Sequence, residues 1–462
     1  MSILFSTTEK GKPVLIENGF DYIEERTHEN KVYWRCTQCN KQKCKARLHT
    51  TNNTICHRVG DHNHAPNPSI SGIRQCRSEI RNLSKTTITT HSIIATSIAT
   101  ASTAVLSQLP PINNLKRAVC RQRAANLNFP ANPRSMSEIQ ITGSFTLTKK
   151  KDQFLQYDSG NQDSNRFLIF ATNQQLDLLQ SSTDVYMDGT FKVVPELFYQ
   201  LYSIHGSVQG SIIPMAYILM SRKTEEDYKR IYDTIISLRP LFNPSSVLID
   251  FEKGAMNAIR SCWPQSNVNG CFFHLTQNIY RQVQQAGFTT KYGNDEEYAH
   301  AVRMLPALAF LETNDICSTF EDIADLQIPD LDPLCNYFED YYIGRFRSRN
   351  RRTIPTFPIT FWNLHNTLRN QFDHTNNAVE GWHRRLNNIV DSAHPGFWRF
   401  LSDLQTEQSY VDGEISQLLT GLIPKTKRIK TQNTASRILR ILDNPTNDNT
   451  QKIKAIAHTF ML

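Results

Sequence analysis

Three carboxylates stand where the surrounding sequence can aim them at metal ions. Asp250 ends the apolar run VLID, residues 247–250, and the helix-like stretch EKGAMNAI follows at once. Asp188 ends a comparable strand-like run, DVYMD, before GTFK. A carboxylate at the carboxyl end of a central strand sits where open α/β sheets hold their ligands. Hydrolysis or transesterification of a phosphodiester uses two divalent ions about 3.5–4 Å apart, and hard cations such as Mg2+ or Mn2+ call for carboxylate oxygen. Neighbouring strands ending at one edge can supply two aspartates, and a helix crossing the sheet can supply the third ligand. The stretch NNAVEGWHRRLNNI, residues 376–389, offers Glu380 near the start of a helix opened by Asn376 or Asn377. Val379, Trp382, Leu386 and Ile389 would form its apolar side, with His383 one turn beyond Glu380. Singly, each carboxylate has an ordinary reading as a turn residue, an N-cap or a first-turn acid favoured by the helix dipole. Together, in this order, Asp188, Asp250 and Glu380 predict a catalytic site binding two Mg2+ or Mn2+ ions.

Two further groups have metal-binding chemistry. Cys271 and His274 form a Cys-x-x-His between the strand-like NVNG and a helix. No second pair lies nearby, so a packed thiol beside a hydrogen-bonded imidazole is the competing reading. Near the N-terminus, Cys36, Cys44, His62 and His64 make a tetrahedral zinc set, with Cys39 the alternative for one cysteine because Cys36 and Cys39 are spaced as CxxC. A segment of about 55 residues with so few aliphatic side chains needs such a staple.

The elements that must position these residues can be read from texture. Residues 11–65 alternate β-prone runs (PVLI, FDYI, KVYWRC, KARLHT, TICHRV) with turn signals such as ENG, HEN and TNN. From about residue 150, strands and helices alternate. LFYQLYSIHGSVQG and SIIPMAYILMS read as an antiparallel meander after DVYM, and TEEDYKRIYDTIISL as a helix capped by Thr224. Three strands, a helix, then a strand bearing a second aspartate is the order of an RNase H-like fold. Residues 295–375 hold helix-like runs that lengthen the interval to Glu380. The expected fold class is multidomain α+β: a small β-rich zinc finger, then an RNase H-like α/β catalytic domain with a helical insertion. The expected boundaries are 1–66 for the finger, 67–150 for a basic helical linker, 151–400 for the catalytic domain with its insertion at about 290–372, and 401–462 for a helical tail.

Charge is uneven along the chain. Residues 1–150 carry 21 Lys and Arg against 9 Asp and Glu, a balance of +12, while the full 462 residues carry only +8. Such an excess suits a polyanion, because each cation that meets a phosphate releases a condensed counterion. The candidate phosphate contacts are Lys41, Lys43, Lys45, Arg47 and Arg58 in the finger, and Lys116, Arg117, Arg121 and Arg123 on a basic helix face. Arg345, Arg347, Arg349, Arg351 and Arg352 follow in RFRSRNRR. The run PKTKRIK, residues 424–430, has the composition of a nuclear-import signal or a DNA contact, and the expected location is the nucleus. The opening MSILFSTTEK lacks the pattern of a secretory signal, so the ten cysteines are expected as reduced thiols apart from the metal cluster. The uncharged stretch from Thr86 to Leu109 is rich in Ser and Thr and reads as a buried or amphipathic helix, not a membrane span.

The order Leu15, Phe20, Tyr33, Trp34, Cys36, Cys44, His62 and His64, between GKPVL and HNHAP, resembles a FLYWCH-type zinc finger. DGTFK, FYQLYSIHG, LIDFEKGAMNAI, GCFFHLTQNIYR and NNAVEGWHRRLN together resemble a Mutator-like element (MULE) transposase domain over roughly residues 150–400, with SQLPP and LKRAVCRQR similar to that family's upstream region. The resemblance implies a structural zinc ion held by Cys36, Cys44, His62 and His64. It also implies a DDE active site of Asp188, Asp250 and Glu380, with Cys271 and His274 as an accompanying element. The implied activity is metal-dependent DNA cleavage and strand transfer on double-stranded DNA, both transposon ends and target, by a homodimer or higher assembly. The rival reading is a domesticated transposase remnant that binds DNA or a protein and no longer cuts.

Overall fold

The computed structural model describes residues 3–8, 12–86, 88–126, 129–347, 351–369, 377–390, 392–421 and 429–462. Arg349, Asn376 and residues 424–428 of the basic run lie outside them. The chain divides into two units, Met1–Ala131 and Asn132–Leu462.

In the first unit the short β-prone runs fold as a six-stranded antiparallel meander: β1 (Leu4–Thr7), β2 (Pro13–Glu17), β3 (Phe20–His28), β4 (Lys31–Cys36), β5 (Arg47–Thr51) and β6 (Thr54–Val59). Two of its hairpins turn through Asn18-Gly19 and Asn52-Asn53, whose positive φ angles suit the twist of the flanking strands. Leu15, Tyr22, Trp34, Cys36, Cys44, Ala46 and Leu48 make the small core. Helices α1 (Ile70–Leu83), α2 (Thr90–Ile98), α3 (Thr103–Leu106) and α4 (Ile112–Asn126) follow. They do not form an isolated linker, because the uncharged stretch contributes Ile93 and Ile94 to a second core with Ile80, Leu115 and Val119. Arg74 of α1 pairs with Asp21 of β3, and Arg81 donates to the carbonyl of Thr8 at 2.9 Å. The helices therefore belong with the sheet, and residues 132–150 fall in the second unit.

The second unit is built on seven strands: β7 (Leu155–Asp158), β8 (Phe167–Phe170), β9 (Asp184–Thr190), β10 (Gln200–Val208), β11 (Ser211–Met220), β12 (Ser246–Ile249) and β13 (Asn267–Gly270). They lie in the order β13-β12-β9-β10-β11-β8-β7. The β13, β12 and β9 neighbours are parallel, and the rest antiparallel. Helix α5 (Asn173–Gln180) precedes β9, α6 (Glu225–Leu238) joins β11 to β12, α7 (Lys253–Cys262) joins β12 to β13, and α8 (Phe272–Gln285) leaves β13. Strand alternation splits the side chains between two layers. Val185, Met187, Val247 and Ile249 enter the main core with Tyr228 and Ile231 of α6 and Met256 and Ile259 of α7. Tyr186 and Leu248 face the other way, beside Cys271 and Val379.

Helices α9 (Thr289–Asn294), α10 (Glu296–Ala307), α11 (Ile316–Ala324), α12 (Asp332–Phe338), α13 (Ile359–Trp362) and α14 (His365–Arg369) fill the interval before α15 (Asn377–Val390). Their aromatic side chains meet the sheet edge, where Phe251 packs against Tyr342, Phe357 and Phe361 with ring centroids 5.0–5.7 Å away. The segment read as a tail is part of this unit. Helix α16 (Phe397–Leu419) runs through the boundary expected at residue 400, and Gln405 donates to the carbonyls of Ser144 and Leu147 at 2.7 Å. After α17 (Ile429–Leu442), α18 (Asn449–Ala457) buries Ile453 and Ile456 in the main core.

Gly270 is the last residue of β13, and a Cβ there would lie 2.7 Å from the Phe361 ring and 2.8 Å from the Phe251 ring. Gly270→Ala is expected to destabilise the second unit by about 1–3 kcal/mol through overpacking, seen as a lower unfolding midpoint in urea.

Candidate metal centres

In the first unit β4 ends at Cys36, and the chain returns past Cys44 and again through His62 and His64 after β6. Cys36 Sγ lies 3.2 Å from His64 Nε2, Cys44 Sγ 3.4 Å from His62 Nδ1, and the two imidazole nitrogens are 3.2 Å apart. These separations match the edges of a tetrahedron with metal–ligand bonds of about 2.0–2.3 Å, the geometry of structural zinc. Tyr22 Oη, 2.7 Å from His62 Nε2, and the Ala65 carbonyl, 3.2 Å from His64 Nδ1, orient the rings from outside. Phe20 stacks on His62 with centroids 3.6 Å apart. Burial pushes the Cys36 thiol up to about 11, a displacement that a bound cation reverses by favouring thiolate. Cys39 takes no part in the cluster; its thiol faces the Asn40 side chain. Trp34 is a core residue, its Nε1 donating to Thr50 Oγ1 at 2.9 Å, whereas Tyr33 lies partly open under the guanidinium of Arg26.

The second centre follows from the register of two parallel strands. Ser246 lies opposite Asp184 and Leu248 opposite Tyr186, so the same register two residues on sets Asp250 beside Asp188. His274, in the first turn of α8, completes a group whose ligand atoms all lie within 4.8 Å of one another. Asp188 is only 4% exposed. Burial and the neighbouring Asp250 drive its carboxyl well above the usual range, Glu380 and Glu252 add to this, and the Gly189 N–H at 2.8 Å opposes it. Burial, then Glu252, raises Asp250 to about 7 against the pull of Lys223 and Arg281. Acids this close to one another hold their protons more tightly than free carboxylates do.

Glu380 stands outside the tight group, with Oε2 3.5 Å from Arg384 and Oε1 buried without a hydrogen-bond partner among the described residues. Its carboxyl too is raised, chiefly by burial. His383, one turn along α15, brings Nδ1 to 3.7 Å from Asp188 Oδ2. Burial lowers both His274 and His383 to about 4, and His274 Nδ1 and His383 Nε2 are likewise buried without partners among the described residues. Two carboxylates and an imidazole with ligand atoms this close, and buried polar atoms on neighbouring side chains that no described residue satisfies, fit a divalent cation and its waters. Cys271 is not among the converging groups. Its backbone N–H bonds to Ile249 O at 2.8 Å and it is fully buried beside Tyr186, Leu248 and Val379. The Glu-x-x-His spacing of Glu380 and His383 was the sequence signal for a site contribution by the second residue.

Helix α15 is held against the sheet by Val379, Trp382, Leu386 and Val390, the last more deeply buried than the expected Ile389 because the apolar spacing runs 3, 4, 4. Trp382 stacks on Tyr217 and donates Nε1 to Glu407 at 2.9 Å. Glu407 of α16 is 0% exposed and also accepts from Arg385 at 2.6 and 2.9 Å.

Comparison with protein families matches residues 5–64 to the FLYWCH zinc finger domain and residues 185–278 to the MULE transposase domain. The chain carries both domains. Together they support a transposase-related DNA-binding protein. No curated protein matches the chain. The FLYWCH match spans all four residues of the Cys/His cluster, which points to zinc, and the MULE match spans Asp188, Asp250, Cys271 and His274.

The cations outside these centres divide into free and engaged. In the FLYWCH finger Lys41, Lys43 and Lys45 are exposed, whereas Arg47 pairs with Glu25 and Arg58 with Glu17. On α4, Lys116, Arg117 and Arg121 are exposed, but Arg123 turns inward to Thr90 Oγ1 and the carbonyls of Thr86 and Ile88. Arg345 pairs with Asp340, and Arg352 with Glu321 and Glu339; Arg347 and Arg351 are exposed on two short paired strands, β14 (Phe346–Arg347) and β15 (Arg351–Arg352).

Cys36→Ala should lower bound zinc to none by elemental analysis and collapse the protection of β4–β6 amides in hydrogen exchange, because the core beneath is small. Glu407→Ala should destabilise the second unit by roughly 2–4 kcal/mol in urea unfolding, since buried Trp382 Nε1 loses its acceptor and Arg385 keeps only Glu414, 3.9 Å away. A pH effect follows from Asp250. Its folded pKa is raised above the unfolded value, so the folded state holds its proton more tightly and stability falls as pH rises from about 4 to about 7. In protein without added Mg2+ or Mn2+, Asp250→Asn should raise the unfolding midpoint at pH 8, by roughly 1.4 kcal/mol for each unit of displacement, and have no such effect at pH 4.

Proposed function

We propose that this protein is a DNA transposase of the Mutator-like class, in which Asp188, Asp250 and Glu380 form the catalytic triad and the FLYWCH finger contributes DNA binding. The observation that carries the reading is the pairing of Asp188 with Asp250 at the end of two parallel strands, with a ligand atom of His274 within 4.8 Å of theirs and His383 Nδ1 3.7 Å from Asp188. An RNase H-like fold is supported by the sheet order β13-β12-β9-β10-β11, with three antiparallel strands followed by a helix and two parallel strands. Mg2+ or Mn2+ at this site would stabilise charge on the transferring phosphoryl group and lower the pKa of water.

The chain's own residues bind and position. Asp188, Asp250 and His274 would provide the ligand atoms, and Glu380 of α15 is near enough to raise the Asp188 carboxyl. His383 beside Asp188 restrains that carboxylate. Lys223 donates to Glu252 at 2.8 Å and so limits the negative charge next to Asp250. The reaction is hydrolysis of one strand at a transposon end, then in-line attack of the freed 3′-hydroxyl on a target phosphodiester. Joining two ends to one target calls for a homodimer or higher assembly on double-stranded DNA, in the nucleus. The exposed cations of the finger and of α4 supply phosphate contacts.

The test is nicking and strand transfer on a labelled duplex bearing the element's own ends. Wild-type protein with Mg2+ or Mn2+ should cut and join, and Asp188→Asn or Asp250→Asn should lower the rate at least about 100-fold with duplex binding unchanged. Cutting without joined products would indicate a nuclease, and binding without cutting by wild type would indicate a domesticated DNA-binding protein.

A further inference from the structure

At the sheet edge that carries the carboxylates, two large aromatic side chains stay open to solvent. Phe191, three residues beyond Asp188, is 42% exposed, and Tyr199, just before β10, is 49% exposed. Their centroids are 5.4 Å apart at 77°, so they stand edge to face and present ring surface outward. Lys223 lies over both, its Nζ 5.2 Å from the Phe191 centroid and 5.6 Å from that of Tyr199. Its bond to Glu252 fixes the ammonium there, and it is near enough to Asp250 to lower that carboxyl. Glu252 is further held by the hydroxyl of Tyr228. Lys192 and Arg222, adjacent in sequence to the group, are exposed.

The surrounding packing does not account for this exposure. Neighbouring apolar residues of the same connection, Val193, Val194 and Phe198, are buried, so the segment has a core side and Phe191 and Tyr199 are not on it. Exposed rings beside a fixed ammonium suit a ligand with a flat π face and an anionic linkage. A nucleotide freed from its duplex partner has both, and aromatic stacking tolerates any base. A paired base hides its faces in the stack, so the platform discriminates by strand state and not by sequence.

We infer that Phe191, Tyr199 and Lys223 form a stacking site for one unpaired nucleotide of the DNA, next to the phosphodiester that the carboxylates address. This deepens the transposase reading and rests on it. The site would hold a base out of the helix while the adjacent backbone lies against Asp188 and Asp250, and it would favour frayed or forked ends over blunt duplex.

The experiment uses the full chain with its zinc and without added Mg2+ or Mn2+, so that no strand is cut. The probe is a forked duplex carrying 2-aminopurine as the first unpaired base, against a blunt duplex of the same sequence. Wild type is expected to change the 2-aminopurine emission through stacking and to bind the fork about tenfold more tightly than the duplex. Phe191→Ala/Tyr199→Ala together should remove both effects and leave duplex affinity within about twofold. Tyr199→Trp, which keeps a ring, should retain them. Unchanged emission and fork preference in the double variant, or equal binding of fork and duplex by wild type, would overturn the inference. Metal-dependent cutting is scored on the same preparations, so loss of the stacking site and failure of the catalytic reading give different results.

Discussion

Like charge held at one edge is the constraint on which the second unit depends. Parallel pairing of β9 and β12 puts Asp188 and Asp250 side by side, and burial leaves little water to screen them. Two carboxylates this close and largely shut off from water are unfavourable as anions, so in the bare protein they retain protons to a higher pH than free aspartate. The fold tolerates this because its other features oppose it. The Gly189 N–H points at Asp188, Lys223 and Arg281 act on Asp250, and α8 begins at the same place, with its N-terminal dipole favourable to negative charge. A divalent cation would remove the remaining repulsion. The same arrangement that destabilises the bare edge would suit such a cation.

The edge is supported from two sides. The helical insertion packs its aromatic rings against Phe251, the residue after Asp250, and leaves no room for a side chain at Gly270. From the other face, α15 is tied to the sheet through Trp382 and to α16 through Glu407. The residues that hold α15 alternate with those it presents, so the helix cannot rotate to satisfy Glu380 without unburying Val379 or Trp382. The first unit solves a different problem. Its sheet has too few apolar residues for a sizeable core, and four converging Cys and His ligands compensate. A metal ion would thus serve different ends in the two units, folding in the first and, on the proposed function, reaction in the second.

Much of this was legible in the chain. Period-2 runs and their turn residues locate the finger strands, the spacing favours Cys36 and Cys44 with His62 and His64 over a set that includes Cys39, and the succession of strands and helices from Asp184 to Gly270 is readable along the chain. What the pattern did not carry was long-range pairing. Arg123 lay in line with Lys116, Arg117 and Arg121, yet it bonds to carbonyls of a neighbouring segment. Arg47, Arg58, Arg345 and Arg352 likewise have acidic partners that sequence proximity does not disclose for most of them. The boundaries expected at 66, 150 and 400 followed composition, whereas packing placed α1–α4 with the finger and carried α16 across residue 400.

The sequence by itself determined the residue types and their local setting: carboxylates at strand ends, a Glu-x-x-His on an amphipathic helix, and cysteines and histidines at zinc spacing. These are local because turn, cap and periodicity signals act over a few residues. Only the tertiary structure decided which of them meet. It joined His274 to the two aspartates, set Glu380 a little apart, brought His383 to Asp188, and sent Cys271 into an apolar layer. Those outcomes depend on strand register and helix rotation, which are set by side chains distant in the chain filling a shared core.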